Sequence, residues 1–489
     1  ALEKVARTMS GIRKQLISGV LYTSVAKYTG IFVSLVVTGV LARIFTPAQF
    51  GDVAVATVLI TFFAIFSDIG IGPAIIQRKE LDADDLDRIF SFTVWTGVTV
   101  SLLFFACAEP IAAYYRSDVL AGLCRVLALN LLFSAFNIVP NALLYKAKRF
   151  RFIAFRSLGV QIAGGAAAIA AAYSGAGIYA LTINPVLSSL LLFGINYRQQ
   201  PLRLRLRPSA AALRKVFSFS AYQFCFNLIN YFTRNLDKLL MGRFMPKSAL
   251  GYYDKSYRLM MLPLQNITYV VSPVMHPIFS DFQHDLRKLA DSYLKVVRFL
   301  AFVGLPLSAG LFFTGRELVL LVFGGQWEPS VAAFRILSLS VGIQIVLSTS
   351  GPIFQAADAT RMMFVSGVLS AVVTVGAILV GIFAAGTIEA VAWCILASLA
   401  VNFIQCFYLL FRRTLRVPWG GFWRSFLSPL AATACVCLPL AAVHGLFPAL
   451  PLLASLALKC AGAGVVYLAY IQLSGEFDLW NKVKAKFRR

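Results

Sequence analysis

The stretch Phe217–Met245, FSFSAYQFCFNLINYFTRNLDKLLMGRFM, decides the fold class. About 20 apolar residues at 1.5 Å rise cross a hydrocarbon core of ~30 Å, and this stretch is long enough. It nevertheless carries Gln223, Asn227, Asn230, Arg234, Asp237 and Lys238. Steps of three and four place these residues on one face of a helix. The other face is Phe219, Phe224, Phe226, Phe232, Leu239 and Leu240. A charge near the bilayer centre costs roughly 2.5–3.5 kcal/mol on insertion scales, so side chains that bear one face a cavity or a partner. The stretch therefore reads as a charged, cavity-lining membrane helix. Pro246 and Gly251 come next, and then Tyr252-Tyr253-Asp254-Lys255-Ser256-Tyr257-Arg258, an outward-facing turn into a partner helix.

The rest of the chain agrees with that reading. Its 489 residues are 59% hydrophobic and only 13% charged, where a soluble chain carries about 25% charged residues. The composition predicts an all-α polytopic membrane protein of about fourteen transmembrane helices, from near residue 16 to near residue 473. The net charge of +24 would suggest nucleic acid in a soluble protein. Here the basic residues lie between apolar segments, with no aromatic stacking platform among them, so no nucleic-acid partner is expected. The eight cysteines lie in or beside apolar segments. Cys435-x-Cys437 has no second pair, and His276, His284 and His444 are scattered, so buried thiols and no metal site are expected. No Walker motif, catalytic triad or large extramembrane domain is present, which argues against an enzyme.

Loop charge gives the orientation. Most of the 45 Lys and Arg residues fall on one side, densest at Lys146, Lys148, Arg149, Arg151 and Arg156, then from Arg198 to Lys215, at Arg412, Arg413 and Arg416, and in the tail. The positive-inside rule makes this side cytoplasmic, with both termini inside and no cleavable signal peptide. The basic connector 198–215, with Pro201 and Pro208, reads as a linker between a six-helix bundle at 1–197 and another at 216–412. Two extra helices at 413–475 and a basic tail at 476–489 complete the chain. The connections at Gly175-Ala176-Gly177 and around Gly386 are so short that each flanking pair is either a hairpin or one merged or re-entrant segment.

Internal similarity supports two related bundles. Arg43-Ile44-Phe45-Thr46-Pro47 with Phe50-Gly51 is matched by Arg243-Phe244-Met245-Pro246 with Leu250-Gly251, and Arg125-Val126-Leu127-Ala128-Leu129 by Arg335-Ile336-Leu337-Ser338-Leu339. Six spans per unit would relate the halves by a pseudo-two-fold axis along the membrane normal.

Ionisable groups at membrane depth are the leading site candidates. Lys27, on a polar face with Thr23, Ser34 and Thr38, falls opposite Asn227 under an offset of 200 residues, close to Arg234. Lys27, Arg234 and Lys238, with Asn227, Asn230 and Asp237, would line a cationic cavity suited to phosphate or pyrophosphate. The competing reading pairs Arg234 with Asp237 and lets Lys238 snorkel outward. Asp68, in Ser67-Asp68-Ile69-Gly70, is a candidate for taking up a proton or sodium ion; its competing role is a hydrogen-bond acceptor at a helix end. Lys459, in the last span, reads as a snorkelling side chain. Asn130, Ser134, Asn137 and Asn141, at helical spacing in the fourth span, read as interhelical hydrogen-bonding groups or contacts for sugar hydroxyls.

Three motifs carry a resemblance. They are Leu41-Ala42-Arg43-Ile44-Phe45-Thr46-Pro47 with Phe50-Gly51, Asp68-Ile69-Gly70 with Gln77-Arg78, and Asn235-Leu236-Asp237-Lys238-Leu239-Leu240-Met241-Gly242-Arg243 with Ala249-Leu250-Gly251-Tyr252-Tyr253. Together with Arg258-Leu259-Met260 and Leu262-Pro263-Leu264-Gln265-Asn266-Ile267, they resemble Wzx-type polysaccharide flippases of the multidrug/oligosaccharidyl-lipid/polysaccharide exporter superfamily. The colanic-acid and teichuronic-acid exporter branch is the nearest in appearance. The resemblance implies two bundles around a cationic cavity, alternating access, and an undecaprenyl-pyrophosphate-linked oligosaccharide as substrate in the bacterial inner membrane. It places Lys27, Arg234 and Lys238 beside the pyrophosphate. It implies no cofactor beyond H+ or Na+ coupling, and as partners membrane lipids and the polymerase and glycosyltransferases of the pathway. The two extra helices resemble those of the lipid II flippase, which keeps a peptidoglycan precursor open as substrate. A cation-coupled multidrug exporter is a further alternative, and a membrane glycan polymerase would need a large outer loop that is missing here.

Overall fold

The computed structural model describes residues 2–67, 70–78, 80–205, 228, 231–280 and 285–476, with the backbone alone for 2–21, 269–274, 276–278 and 280. Among the described residues every regular element is helical. Among the described residues eleven helices are long and apolar enough to cross a membrane, or twelve if Ser330–Ser338 and Val341–Ala356, bent by 41°, form one span. Of the other two expected spans, 217–245 is described only at 228 and from 231 onward. Lys247–Ser280 is one continuous helix that bears Asp254, Lys255 and Arg258 and is not among the eleven. The chain divides into two compact units, 1–248 and 249–489.

In the first unit α1 (Leu2–Ile44) packs along α8 (Phe150–Tyr173). Small residues allow the close approach that helix association in a membrane requires. A Cβ on Gly165 would come within 2.5 Å of Val37 Cγ2, and Gln161 Nε2 donates to the Gly30 carbonyl at 2.8 Å. Next come α2 (Pro47–Ser67), α3 (Ile71–Gln77), α4 (Ala83–Ala106), α5 (Ala108–Tyr115), α6 (Asp118–Phe136) and α7 (Ile138–Lys146). The α8–α9 connection is a true hairpin. Gly175 and Gly177 both take positive φ (87° and 58°), the left-handed conformation that glycine adopts without Cβ strain, and α9 (Ala180–Gln199) returns across the unit.

The acidic start of α4 positions the segment that leaves α9. Asp82 caps α4, accepting from Asp85 N at 2.7 Å in a reciprocal capping box. Asp84, Asp87 and Ser91 then hold the extended Arg203–Arg205 segment: Arg203 N donates to Asp87 at 2.8 Å, Arg205 N donates to Ser91 Oγ at 2.7 Å, and the Arg205 guanidinium lies 3.3 Å from Asp84. Leu202 joins Ile71, Ile75, Ile89, Phe90 and Val139 in the core beneath. The first residues of the basic connector are thus docked on the first unit. Residues 231–244 form α10, which packs on α2: the Tyr231 hydroxyl donates to the Val58 carbonyl, and the Phe62 ring lies 5.6 Å from Tyr231 and 5.5 Å from Phe232.

The second unit contains α11 (Lys247–Ser280) from Ala249 onward, then α12 (Leu286–Phe313), α13 (Gly315–Phe323), the broken series α14 (Ser330–Ser338), α15 (Val341–Leu347) and α16 (Ser350–Ala356), then α17 (Thr360–Val380) and α18 (Ile388–Tyr408). Gly386, at φ 66°, closes α17 and α18 into a second hairpin. The last two helices, α19 (Gly420–Leu446) and α20 (Leu452–Ser474), dock on this unit. A stacked ring pair joins α19 to it, with Phe407 and Phe422 4.5 Å apart, and just before α19 Phe411 stacks on Tyr293 of α12 at 6.1 Å. Offset aromatic pairs of this kind are worth about 0.5–1.5 kcal/mol each beyond their area.

Lys459 does not snorkel. Its side chain is 1% exposed, donates to the Phe313 carbonyl at 2.9 Å and pairs with Glu317, which also accepts from Ser455 Oγ at 2.7 Å. A carboxylate at matching depth on α13 makes an inward path cheaper than one to the interface. The outward surfaces are apolar and exposed, as at Phe32, Leu102, Phe364, Val372, Leu438 and Val465, which suits helices that face lipid.

Removing one partner of a buried ion pair strands the other charge and costs about 3–5 kcal/mol. Lys459→Met should therefore lower the melting temperature in detergent markedly. Lys459→Met combined with Glu317→Gln should recover most of the loss, measured by thermal denaturation of the purified protein.

Candidate functional site

The repeated motifs meet at one end of the first unit. Thr46 and Gln49 cap α2: Thr46 N donates to Gln49 Oε1 at 2.8 Å and Gln49 N donates back to Thr46 Oγ1 at 3.4 Å. This fixes Phe50, Gly51 and Asp52 in the second turn. A Cβ on Gly51 would lie 2.0 Å from the Lys247 carbonyl oxygen, so the α2 backbone and the start of α11 touch where only glycine fits. Asp52 accepts from Ser117 Oγ at 2.9 Å and lies 3.5 Å from Lys247 Nζ. The Lys247 ammonium sits over Tyr115 at 5.5 Å, and the Arg243 guanidinium sits over Tyr114 at 5.1 Å. Cation–π contacts of this kind contribute about 0.5–1 kcal/mol at exposed sites. The cluster locks α2, α5, α10 and Lys247 into one corner of the first unit. None of Asp52, Ser117 or Lys247 stood out in the sequence, although Asp52 follows Gly51 and Lys247 follows Pro246 in the repeated motif.

Of the proposed cavity residues, Lys27 is a partly buried residue of α1. On α10, Arg234 is exposed, Lys238 is partly buried, and Asp237 is 4% exposed and accepts from the Lys238 backbone N–H at 2.8 Å. Arg234 has no ion pair among the described residues, so its competing assignment as the partner of Asp237 is not what the geometry shows. Asn227, Asn230 and Asp68 lie outside the described residues. On α11, Asp254 and Lys255 are both buried, and Arg258 lies 3.2 Å from Asp254. Sequence spacing gave these two no role, because they sit in a tyrosine-rich turn that read as an exposed connection. Among the described residues no group of His, Cys, Asp and Glu could hold a metal ion.

A second polar centre lies at the other end of the first unit. Arg156 of α8, which loop counting assigned to a cytoplasmic connection, is partly buried and donates to Asn196 of α9 and, at 3.4 Å, to Asn141 of α7. Asn196 is fully buried and donates to Asn137 at 2.6 Å. Asn137 and Asn141, read as interhelical hydrogen-bonding groups or sugar contacts, do tie α7 to α8 and α9.

Residues 40–332 match the model of a family described as polysaccharide biosynthesis protein. The chain belongs to that family. Its relatives include the teichuronic acid biosynthesis protein TuaB of Bacillus subtilis, 26% identical across 88% of this chain and 89% of the relative. The lipopolysaccharide biosynthesis protein WzxC of Escherichia coli is 26% identical across 86% and 85%. The succinoglycan biosynthesis transport protein ExoT of Rhizobium meliloti is 25% identical across 80% and 79%. Among solved structures, the lipid II flippase MurJ in an inward closed conformation superposes with a TM-score of 0.73 at 14% identity, over 94% of this chain and 99% of MurJ. An inward-facing multidrug resistance MATE family transporter of the MOP superfamily gives 0.61 at 15% identity, over 82% and 95%. This family member therefore shares the MurJ and MATE fold, and it is a multi-pass membrane protein.

Forcing a side chain into a packed contact costs about 1–3 kcal/mol or more. Gly51→Ala should reduce the yield of monodisperse protein and lower its melting temperature, checked by size-exclusion chromatography and thermal denaturation. Gly72→Ala, where a Cβ meets nothing within 4 Å, should leave both near wild type.

Proposed function

We propose that the protein is a carrier, not an enzyme, that moves an undecaprenyl-pyrophosphate-linked oligosaccharide from the cytoplasmic to the outer leaflet of a bacterial inner membrane. The observation that carries this reading is the match along most of the chain to relatives of polysaccharide biosynthesis, one of them a transport protein. The fold it shares with a lipid flippase and a drug transporter supports a carrier over a polymerase. Arg234 on α10, exposed and with no ion pair among the described residues, and Lys27 on α1 would meet the pyrophosphate. Lys238 and Asp237 would complete the site with Asn227 and Asn230, which fall at helical spacing from Arg234 in the sequence and lie outside the described residues. Asp68 is the candidate for H+ or Na+ coupling. Both termini would lie in the cytoplasm, where the basic loops gather, and the polymerase and glycosyltransferases of the same pathway would be its partners.

Arg234→Ala and Lys27→Ala should each reduce export by at least tenfold while the protein stays in the membrane. The measurement is surface polysaccharide together with mass spectrometry of lipid extracts. Build-up of one complete lipid-linked repeat unit is the expected signature. Pooling of cell-wall precursor would reassign the substrate to lipid II, and normal output from both variants would remove Lys27 and Arg234 from the site.

A further inference from the structure

The polar centre around Arg156 borders a cavity of about 350 Å³ whose walls include Pro73, Ile76, Ser134, Asn137, Asn141 and Tyr145. We propose that this cavity, at the basic end of the first unit, binds a phosphate oxyanion borne by a membrane lipid.

The donor arithmetic fixes what the cavity offers. A guanidinium only donates, so Asn196 and Asn141 must turn their carboxamide oxygens to Arg156. The Asn196 amide group is then the donor to Asn137, whose oxygen accepts it. The oxygens of both wall residues are thus already turned toward protein donors. The NH2 groups of Asn137 and Asn141 are left with no partner among the described residues, as is the buried Arg156 Nε. Ser134 already donates to Asn130, and the Tyr145 ring is exposed at the rim.

No carboxylate pairs with Arg156 among the described residues, in contrast to Lys459, Lys247 and Arg258, each of which has one. Among the described residues the positive charge meets the Asn141 and Asn196 carboxamide oxygens and, at 3.4 Å, the Ser157 hydroxyl; amides polarised in this way become stronger donors through their NH2 groups. The cavity wall is mostly apolar, with Gly72, Pro73, Ile76, Ile138 and Ala142, and its two amide donors, with Arg156 behind Asn141, suit the anionic oxygens of a phosphate that sits beside acyl chains. Its depth fits as well. Asn141 is five residues from Lys146, about 7.5 Å along a helix, and Lys146 and Arg149 lie at the same end, where headgroup phosphates concentrate. The site involves neither Lys27 nor Arg234 and stands whatever cargo the protein carries.

The test uses the full-length protein in detergent with phosphatidylglycerol, undecaprenyl pyrophosphate or phosphate-free glucosyl diacylglycerol added, read by native mass spectrometry. Two variants place an acid in the cavity. Asn141→Asp gives Arg156 a carboxylate and should keep or raise the melting temperature. Ile76→Asp alters an exposed wall position without touching the network. Both should weaken retention of a phosphate-bearing lipid by at least tenfold, with one lipid fewer bound per protein, and the glucosyl lipid should not be retained. Loss with phosphatidylglycerol identifies a headgroup site; loss with undecaprenyl pyrophosphate alone identifies a site for the carried lipid. Unchanged retention in both variants, or retention of the phosphate-free lipid equal to that of the others, overturns the proposal.

Discussion

A charged side chain below the headgroups has no water to fall back on, and the arrangement of this protein depends on how each such group is answered. Three answers are visible. Lys459 is met by a full counter-charge, Glu317, with Ser455 and the Phe313 carbonyl completing the shell. Lys247 is shared between Asp52 and the face of Tyr115. Among the described residues Arg156 is met by carboxamide oxygens and the Ser157 hydroxyl, with no carboxylate. The first arrangement fixes a helix in place, the second locks a corner, and the third leaves charge to spare. Fold and binding capacity thus diverge at the same physical step, the choice between a carboxylate and an amide as partner.

The acidic patch from Asp82 to Asp87 shows the same logic at the water boundary. It caps α4 through Asp82 and then holds the extended segment after α9 through backbone donors and the Arg205 guanidinium. These exposed pairs add little energy singly, about 0–1 kcal/mol each. Their backbone bonds nevertheless set where the chain leaves the first unit, and Leu202 is drawn into the core beside them.

Most of the architecture was legible in the sequence because hydrocarbon thickness imposes a length that composition reveals directly. The helical class and most spans come from that rule, whereas the two short glycine connections stayed open between hairpin and merged segment until the left-handed conformations of Gly175, Gly177 and Gly386 showed them to be hairpins. Partners distant in sequence were not legible. Lys459 read as a snorkelling residue because Glu317, on a short helix far upstream, gave no signal in its own window. Arg156 was counted with a loop because Phe150 and Phe152 around it did not mark where the helix began, and Asn196 looked like any polar residue near a span end. The corner of Gly51, Asp52 and Lys247 was half visible: the repeat flagged the glycine and the proline, while the ion pair one residue beyond each required coordinates.

The buried pair of Glu317 with Lys459 also bears on biogenesis. The chain is made from its N-terminus, and 142 residues separate the two partners. Glu317 is therefore made well before its counter-ion exists, and in that interval the buried acid lacks the partner that offsets its burial. Insertion of α20 brings the ammonium group and closes α20 onto α13. A chain that lost its last helix would carry an orphaned acid in the bilayer, a mark of incomplete synthesis that membrane quality control could read.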